Sequence, residues 1–211
     1  MPTVHERIYF CDAIDFSMKP HVIIDNGHGS DTAGKCSPDR LLQEWKWTRA
    51  AARRLAAMLN EKGIGTDILV PEESDISLRE RCLRANAIYR GNRSSVLVSL
   101  HSNASGDGSS WGTASGWSAF VAPAASENSQ RLARLLYESA VKRNLLGNRY
   151  TPPEGFHRAN LAICRDSLCP AVLTENMFHD NRADAGFLLS EEGISTIAEL
   201  HEEALCRYFG L

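Results

Sequence analysis

The sequence predicts an α/β protein: a single domain with a mostly parallel (mixed) central sheet of about six strands and helices on both faces. The first observation behind this prediction is that β-rich runs alternate with amphipathic helical stretches along the chain. The second is the length of 211 residues, which, without a repeat or a long linker, is typical of one domain. The third is the composition, 43% hydrophobic and 23% charged, which excludes disordered, collagen-like and coiled-coil chains.

In the first half of the chain, two strands flank a long helix. Residues 21–25 form a short β-rich run followed by a glycine-rich loop, and a second strand is predicted at residues 65–70. Between these strands, Pro38 and Asp39 are expected to open a helix that Gly63 closes. The buried face of this helix is predicted from residues at steps of three and four: Leu41, Trp45, Thr48, Ala52, Leu55 and Leu59.

The second half of the chain continues the alternation. Ser77 and Glu80 have the spacing of a capping box, which predicts that a helix starts there. The inward face of that helix is predicted to be Leu78, Cys82, Ala85 and Tyr89. Residues 95–100 are apolar or β-branched at nearly every position, which is typical of a central strand covered on both faces. Further strands are predicted at residues 115–121 and 171–174, and helices at residues 126–144 and 194–209.

Three residues that can carry chemistry follow predicted strands: His28, His101 and Glu175. Taken singly, His28 could be a surface histidine, His101 a hydrogen-bonded core histidine and Glu175 an exposed acid at a strand end. Because parallel strands end at the same edge of a sheet, the three side chains are instead expected to lie close together.

Glu44 borders the apolar stripe of the first predicted helix, so its carboxylate is expected to face the protein rather than water. One interpretation is a first-turn glutamate that interacts with the helix dipole, which stabilises by ~0.3–1 kcal/mol. The other is a metal ligand, since an unpaired buried carboxylate is costly. Two histidines and one glutamate with an open fourth position are the ligand set of a catalytic zinc. Glu175 would then be the general base.

These residues lie in segments that resemble the zinc-dependent N-acetylmuramoyl-L-alanine amidases of the type 3 family. The segments are IDNGHGS around His28, the helix with Glu44, SLRERCLRANAIY and VLVSLHSNA up to His101, and CPAVLTENMFHDN around Glu175. The resemblance extends from about residue 21 to residue 209. It implies that His28, Glu44 and His101 hold one Zn²⁺ per chain and that Glu175 is catalytic. It also implies hydrolysis of the amide between N-acetylmuramic acid and L-alanine of peptidoglycan.

The sequence departs from the family pattern near Glu175, where Asn176 and Met177 replace the more usual glycine and phenylalanine.

Three residues are candidates for substrate binding: Asn103, Arg158 and His179. Arg158 could pair with a carboxylate of the stem peptide or be a solvated loop arginine. Asn103 could bind substrate or only the loop backbone, and His179 could instead support Glu175.

Two alternatives to the amidase remain open at this point. The first is a zinc carboxypeptidase or another peptidase that cuts within the stem peptide of peptidoglycan. The second is a catalytically inactive wall-binding module. No H-E-x-x-H motif occurs anywhere in the chain, which excludes the helical metalloprotease arrangement.

Charge and hydropathy argue against two classes of partner. The net charge of −3 argues against nucleic acid, and the uncharged residues 108–126 make a poor membrane span. The family resemblance implies peptidoglycan or a muropeptide as the partner, and we expect a monomer. Residues 1–20 are expected to be an N-terminal extension of a catalytic domain at 21–211. The apolar run at residues 8–11 is too short for a signal peptide. We therefore expect synthesis in the cytoplasm. Action on the cell wall, which the resemblance implies, would then need a release route that the sequence does not identify. In the cytoplasm, the six cysteines are expected to be free thiols.

Overall fold

The computed structural model describes residues 18–211, which form one six-stranded mixed sheet with helices on both sides. The strands are β1 (His21–Asn26), β2 (Gly65–Ile68), β3 (Ser95–Asn103), β4 (Ser118–Val121), β5 (His157–Arg158) and β6 (Ala171–Phe178). Their order across the sheet is β2-β1-β3-β6-β4-β5. The fold class predicted from the sequence is confirmed.

Strand direction decides where the polar side chains meet. Strands β2, β1, β3 and β6 are mutually parallel, whereas β4 runs antiparallel to β6 and β5 runs parallel to β4. The carboxyl ends of β1, β3 and β6, the three adjacent central strands, therefore lie at one edge of the sheet. This edge is where an open α/β sheet places its binding groups.

Six helices cover the two faces of the sheet in the described part of the chain. They are α1 (Glu44–Glu61), α2 (Leu78–Gly91), α3 (Glu127–Lys142), α4 (Ala162–Arg165), α5 (Arg182–Leu189) and α6 (Glu191–Phe209). The larger apolar core lies between the sheet and α1, α3 and α6, and the smaller one lies under α2 and α4. Successive residues of β1 alternate between them: Ile24 belongs to the larger core and Ile23 to the smaller.

The predicted start of the first helix is wrong, because α1 begins at Glu44 and not at Pro38 and Asp39. Asp39 instead accepts hydrogen bonds from the Ser37 hydroxyl (2.6 Å) and the Leu41 amide (3.1 Å), which stabilise a turn. Arg40 has a φ of 62°, which does not fit a helix. As a result, Leu41 is 71% exposed and does not belong to the buried stripe.

The second helix begins where the capping box predicts, since the Glu80 amide donates to the Ser77 hydroxyl at 3.1 Å. Leu78 was expected to face inward but is 61% exposed, because it lies in the first turn before the helix meets the sheet. Strand β5 and helices α4 and α5 were not predicted. Each is eight residues or shorter, which leaves too few turns or alternations for a periodic pattern.

Five cysteines of the described chain are free thiols, as expected, and Cys11 lies outside the described residues. Most of the expected N-terminal extension, residues 1–17, also lies outside them. None of the helices within residues 18–211 is both long and apolar enough to cross a membrane.

Candidate metal centre

His28 lies two residues beyond β1 in a backbone conformation that is unusual for a residue with a side chain. Its φ is 59°, in the left-handed region. The preceding residue must be glycine, because a Cβ on Gly27 would lie 2.3 Å from Cε1 of His101. The close approach of the Gly27 backbone to the His101 ring therefore brings the two imidazoles together. The ring centroids are 4.9 Å apart, with the planes at 90°.

Two buried arginines hold the His28 main chain in this conformation. Arg49 Nη1 donates to the His28 carbonyl at 3.1 Å, and Arg81 Nη2 donates to it at 3.3 Å. Arg81 also pairs with Asp25 at 2.6 Å and with Asp75 at 2.8 Å. Sequence reasoning missed both arginines, because an arginine on a helix usually faces solvent.

Glu44 is the first residue of α1 and is fully buried. Its amide donates to the Lys35 carbonyl at 3.0 Å, which connects the start of the helix to the loop after His28. Its Oε1 accepts a hydrogen bond from the Ser102 amide at 2.9 Å and lies 3.1 Å from Nδ1 of His101. Its Oε2 is buried and has no hydrogen-bond partner within residues 18–211.

His28, Glu44 and His101 each offer one ligand atom to a common point. These atoms all lie within 4.8 Å of one another. His28 Nε2 lies 3.6 Å from Glu44 Oε1, which is a separation that two ligands of one ion can have. The structure thus brings together three residues that are 16 and 57 positions apart in the sequence (44 − 28 and 101 − 44).

The protonation states of His28 and Glu44 suit a divalent metal. Burial lowers the pKa of His28 to about 4, so its imidazole is neutral at neutral pH. Burial by itself would raise the pKa of Glu44, but the hydrogen bond and the charge of His101 outweigh burial and lower that pKa. A neutral imidazole and an ionised carboxylate are the forms in which these side chains bind metals. Burial favours the neutral form of His101, but the hydrogen bond and the charge of Glu44 outweigh burial and raise the pKa of His101, so metal binding there would displace a proton. The unpartnered Glu44 Oε2 shows in addition that the buried carboxylate is not fully satisfied by protein donors.

Glu175 lies on β6 directly opposite His101 of β3, so both side chains emerge on the same face of the sheet. Its Oε2 is buried and has no hydrogen-bond partner in the described part of the chain. Burial raises the pKa of Glu175 to about 7. A carboxyl group whose pKa is near neutral pH can both accept and donate a proton.

The strand pairing becomes irregular just beyond Glu175. The register between β3 and β6 shifts between His101 and Asn103, and Met177 has a φ of 64°. Asn176 is buried there and donates to the His101 carbonyl at 3.0 Å. Asn176 therefore has a structural contact to the candidate site, in the segment where the sequence departs from the usual family pattern.

The three predicted substrate-binding residues lie in different surroundings. His179 is fully buried, 3.1 Å from the Ser102 hydroxyl and 3.8 Å from Glu44 Oε2. Asn103 is half-buried at the end of β3, and its Oδ1 accepts a hydrogen bond from the Ala104 amide at 2.8 Å. His179 is therefore a buried neighbour of Glu44, and Asn103 lies two residues beyond His101 on β3.

Arg158 is not brought to the cluster. It lies on β5, which runs parallel to β4 and therefore opposite in direction to β6, so its end of the strand faces away from the edge that holds His101 and Glu175. Its guanidinium donates to the Pro123 carbonyl at 3.2 Å and to Gln130 Oε1 at 3.1 Å. These contacts favour the alternative of a surface arginine, and Arg158 has no part in the mechanism proposed below.

Comparisons with known proteins identify the family of the chain. Residues 22–207 match the family model described as N-acetylmuramoyl-L-alanine amidase. The N-acetylmuramoyl-L-alanine amidase CwlM of Bacillus licheniformis is 31% identical over 192 residues, which are 90% of this chain and 69% of that protein. The endolysin of Bacillus phage SPP1 is 26% identical over 92% of this chain and 68% of its own length.

A solved structure supports the same assignment. The crystal structure of N-acetylmuramoyl-L-alanine amidase from Clostridium difficile 630 superimposes with a TM-score of 0.79 and 25% identity, covering 92% of this chain and 98% of that one. The family match covers most of the chain. The chain belongs to the N-acetylmuramoyl-L-alanine amidase family.

Proposed function

We propose that this chain hydrolyses the amide bond between N-acetylmuramic acid and L-alanine of peptidoglycan with one Zn²⁺ held by His28, Glu44 and His101. Glu175 carries the proton. The observation that carries the proposal is the convergence of the three ligand atoms within 4.8 Å, with Glu175 in register beside His101. The family of the chain supplies the reaction.

The donor set supports zinc rather than a hard cation. Zinc binds imidazole nitrogen and carboxylate oxygen readily, whereas Mg²⁺ and Ca²⁺ prefer oxygen ligands alone. Three protein ligands leave a fourth position for water or substrate, as catalytic zinc sites do. In such a site, zinc lowers the pKa of water to about 7 and polarises a carbonyl group.

Glu175 performs the proton transfers in this proposal. Its Oε2 is buried and has no hydrogen-bond partner within residues 18–211, so protein donors do not satisfy the carboxyl group and it is available to take a proton from the attacking water. The same carboxyl group then delivers that proton to the nitrogen of L-alanine as the amide bond breaks. Burial brings the pKa of Glu175 to about 7, and a divalent cation nearby favours the carboxylate, so the group starts as a base.

Asn176 supports one of the proposed ligands. Its side-chain amide donates to the His101 carbonyl at 3.0 Å, and contacts of this type fix the orientation of metal ligands. His179 lies close to Glu44, but the 3.8 Å between its imidazole and Glu44 Oε2 is too long for a hydrogen bond. Asn103 is the last residue of β3, at the sheet edge that holds His101 and Glu175. Of the three predicted substrate-binding residues, it remains the candidate for direct contact with substrate.

The same proposal covers the partner and the place of action. The three proposed ligands belong to one chain, so the proposed mechanism needs no second subunit. The proposed substrate is peptidoglycan, so the proposed place of action is the cell wall.

Product analysis tests the proposed function. Purified peptidoglycan is incubated with the protein, with and without a zinc chelator, and the newly exposed amino groups are labelled and identified. We expect new amino groups on L-alanine, and none when the chelator is present. New amino groups on other residues, or release of a C-terminal residue, would identify a peptidase. Binding to peptidoglycan without any release would identify a wall-binding module.

A further inference from the structure

A groove with a volume of about 690 Å³ lies between two loops near the candidate metal centre. One wall is the loop that follows His28, at residues 30–43, and the other is the loop at residues 107–109. We call this feature the Lys35 groove. Its lining includes Lys35, Arg40, Gln43 and Asp107. It contains neither His28 nor His101, so it is a neighbour of the metal centre and not a part of it.

Lys35 connects the groove to the metal centre. Its carbonyl accepts the hydrogen bond from the Glu44 amide at 3.0 Å. Gln43 and Trp45, which flank Glu44 in the sequence, also line the groove. The groove therefore adjoins the start of α1, where the proposed ligand Glu44 lies.

The Lys35 side chain is half-buried, and its ammonium group has no ion pair or hydrogen bond to any residue between 18 and 211. The one acid that lines the groove does not neutralise it. Asp107 accepts hydrogen bonds from the amide (2.9 Å) and the hydroxyl (2.6 Å) of Ser109, in its own loop. Lys35 and Arg40 thus leave the groove with an excess of positive charge, and a half-buried ammonium interacts more strongly with an anion than a solvated one does.

The walls of the groove are preformed. The two loops meet through glycine backbones, and a Cβ on Gly108 would lie 3.1 Å from the Gly34 carbonyl oxygen. The wall that contains Asp107 is held by Asp180, whose Oδ2 accepts hydrogen bonds from the amides of Ser105 (2.7 Å) and Gly106 (3.0 Å). A preformed groove loses little conformational entropy when a ligand binds.

We infer that the Lys35 groove binds the peptide arm of the substrate and that Lys35 pairs with the carboxylate of the residue that follows L-alanine. This inference rests on the proposed function, because the scissile amide separates two chemically different arms. The sugar arm carries no formal charge once its lactyl group is in the amide. The peptide arm is the one that carries carboxylates. A groove with unpaired cations next to the metal centre therefore fits the peptide arm.

Binding of two synthetic tripeptides tests the inference. Both begin with L-alanine and have an amidated C-terminus, and they differ only in glutamic acid or glutamine at the second position. Neither contains the muramoyl amide, so neither is cleaved by the proposed reaction. Titration calorimetry with the zinc-loaded protein should show that the glutamic acid peptide binds about tenfold more tightly, as expected for one hydrogen bond to a charged group.

Variants of the protein assign this preference to one side chain. In Lys35→Gln the preference should fall to roughly twofold or less, whereas Lys35→Arg should keep most of it, since the charge remains. Lys62→Gln removes the same charge at the far end of α1 and is the matched control, which should retain the full preference. Thermal unfolding of each variant verifies that it is folded.

Equal binding of the two peptides by the wild-type protein would overturn the inference, and so would a preference that survives in Lys35→Gln. The proposed function is judged separately, by the amino groups released from peptidoglycan. A protein that prefers the acidic peptide and releases no L-alanine amino groups would support the groove and contradict the amidase reaction. A protein that releases L-alanine amino groups but binds the two peptides equally would support the amidase reaction and contradict the groove.

Discussion

Replacing Arg81 with methionine removes the cation from a buried ion pair beside the His28 loop. Arg81 is 3% exposed, and its partner Asp25 is 2% exposed, with 2.6 Å between Nη1 and Oδ1. In the variant, Asp25 keeps the hydrogen bond from the Ser99 hydroxyl at 2.5 Å but loses its counter-charge. Removing one partner of a buried pair leaves an uncompensated charge, which costs about 3–5 kcal/mol. We therefore expect the free energy of unfolding to fall by about this amount.

The assay is urea denaturation of the protein in the presence of a chelator, so that metal binding does not enter the comparison. Arg54→Met is the matched control, because Arg54 pairs with Glu191 at 3.1 Å on the surface. Exposed pairs of this kind contribute about 0–1 kcal/mol. Adding Asp25→Asn to the Arg81→Met chain should recover part of the loss, since the buried charge is then removed. A loss no larger than that of the control, or a further loss in the double variant, would show that Arg81 does not neutralise a buried charge on Asp25.

The remaining predictions concern the metal centre and the proton carrier. Glu175→Gln should keep its zinc content and lose roughly 10²–10⁴-fold in turnover, because the amide cannot carry the proton; near-normal turnover in a peptidoglycan digestion would remove Glu175 from the mechanism. His28→Ala should lose zinc on dialysis, as measured by elemental analysis, and an unchanged zinc content would contradict its assignment as a ligand. Gly27→Ala should weaken zinc binding by roughly 10–100-fold, the range typical of changes just outside the ligands, because its Cβ would displace the His101 ring. Gly91→Ala, at a position with nothing within 4 Å of the added Cβ, is the control for that measurement.

Much of the fold could be predicted because hydrophobic periodicity reports burial directly. The central strand β3 was identified from consecutive apolar residues, and α2 from its capping box. The start of α1 could not be placed, because Asp39 and Ser37 form hydrogen bonds within their own loop that compete with a helix. Strand β5 has two residues and leaves no periodic pattern.

The candidate site could be predicted in part for a related physical reason. His28, His101 and Glu175 follow β-rich runs, and parallel strands end at one edge, so their meeting follows from topology. The arginines behind His28 were missed, because an arginine on a helix usually faces solvent and only the structure reveals the carbonyls that Arg49 and Arg81 satisfy. Lys35 was missed for a similar reason, since a lysine in a loop has no periodic pattern from which its burial can be inferred.

The proposed metal centre can be examined by locating the bound metal with anomalous X-ray scattering at the zinc absorption edge. We expect one zinc ion per chain, with a nitrogen of His28 and a nitrogen of His101 at about 2.0–2.1 Å and an oxygen of Glu44 at about 2.0–2.2 Å. A zinc ion bound by other residues, or a zinc-saturated crystal with no anomalous peak between these three side chains, would contradict the proposed metal centre.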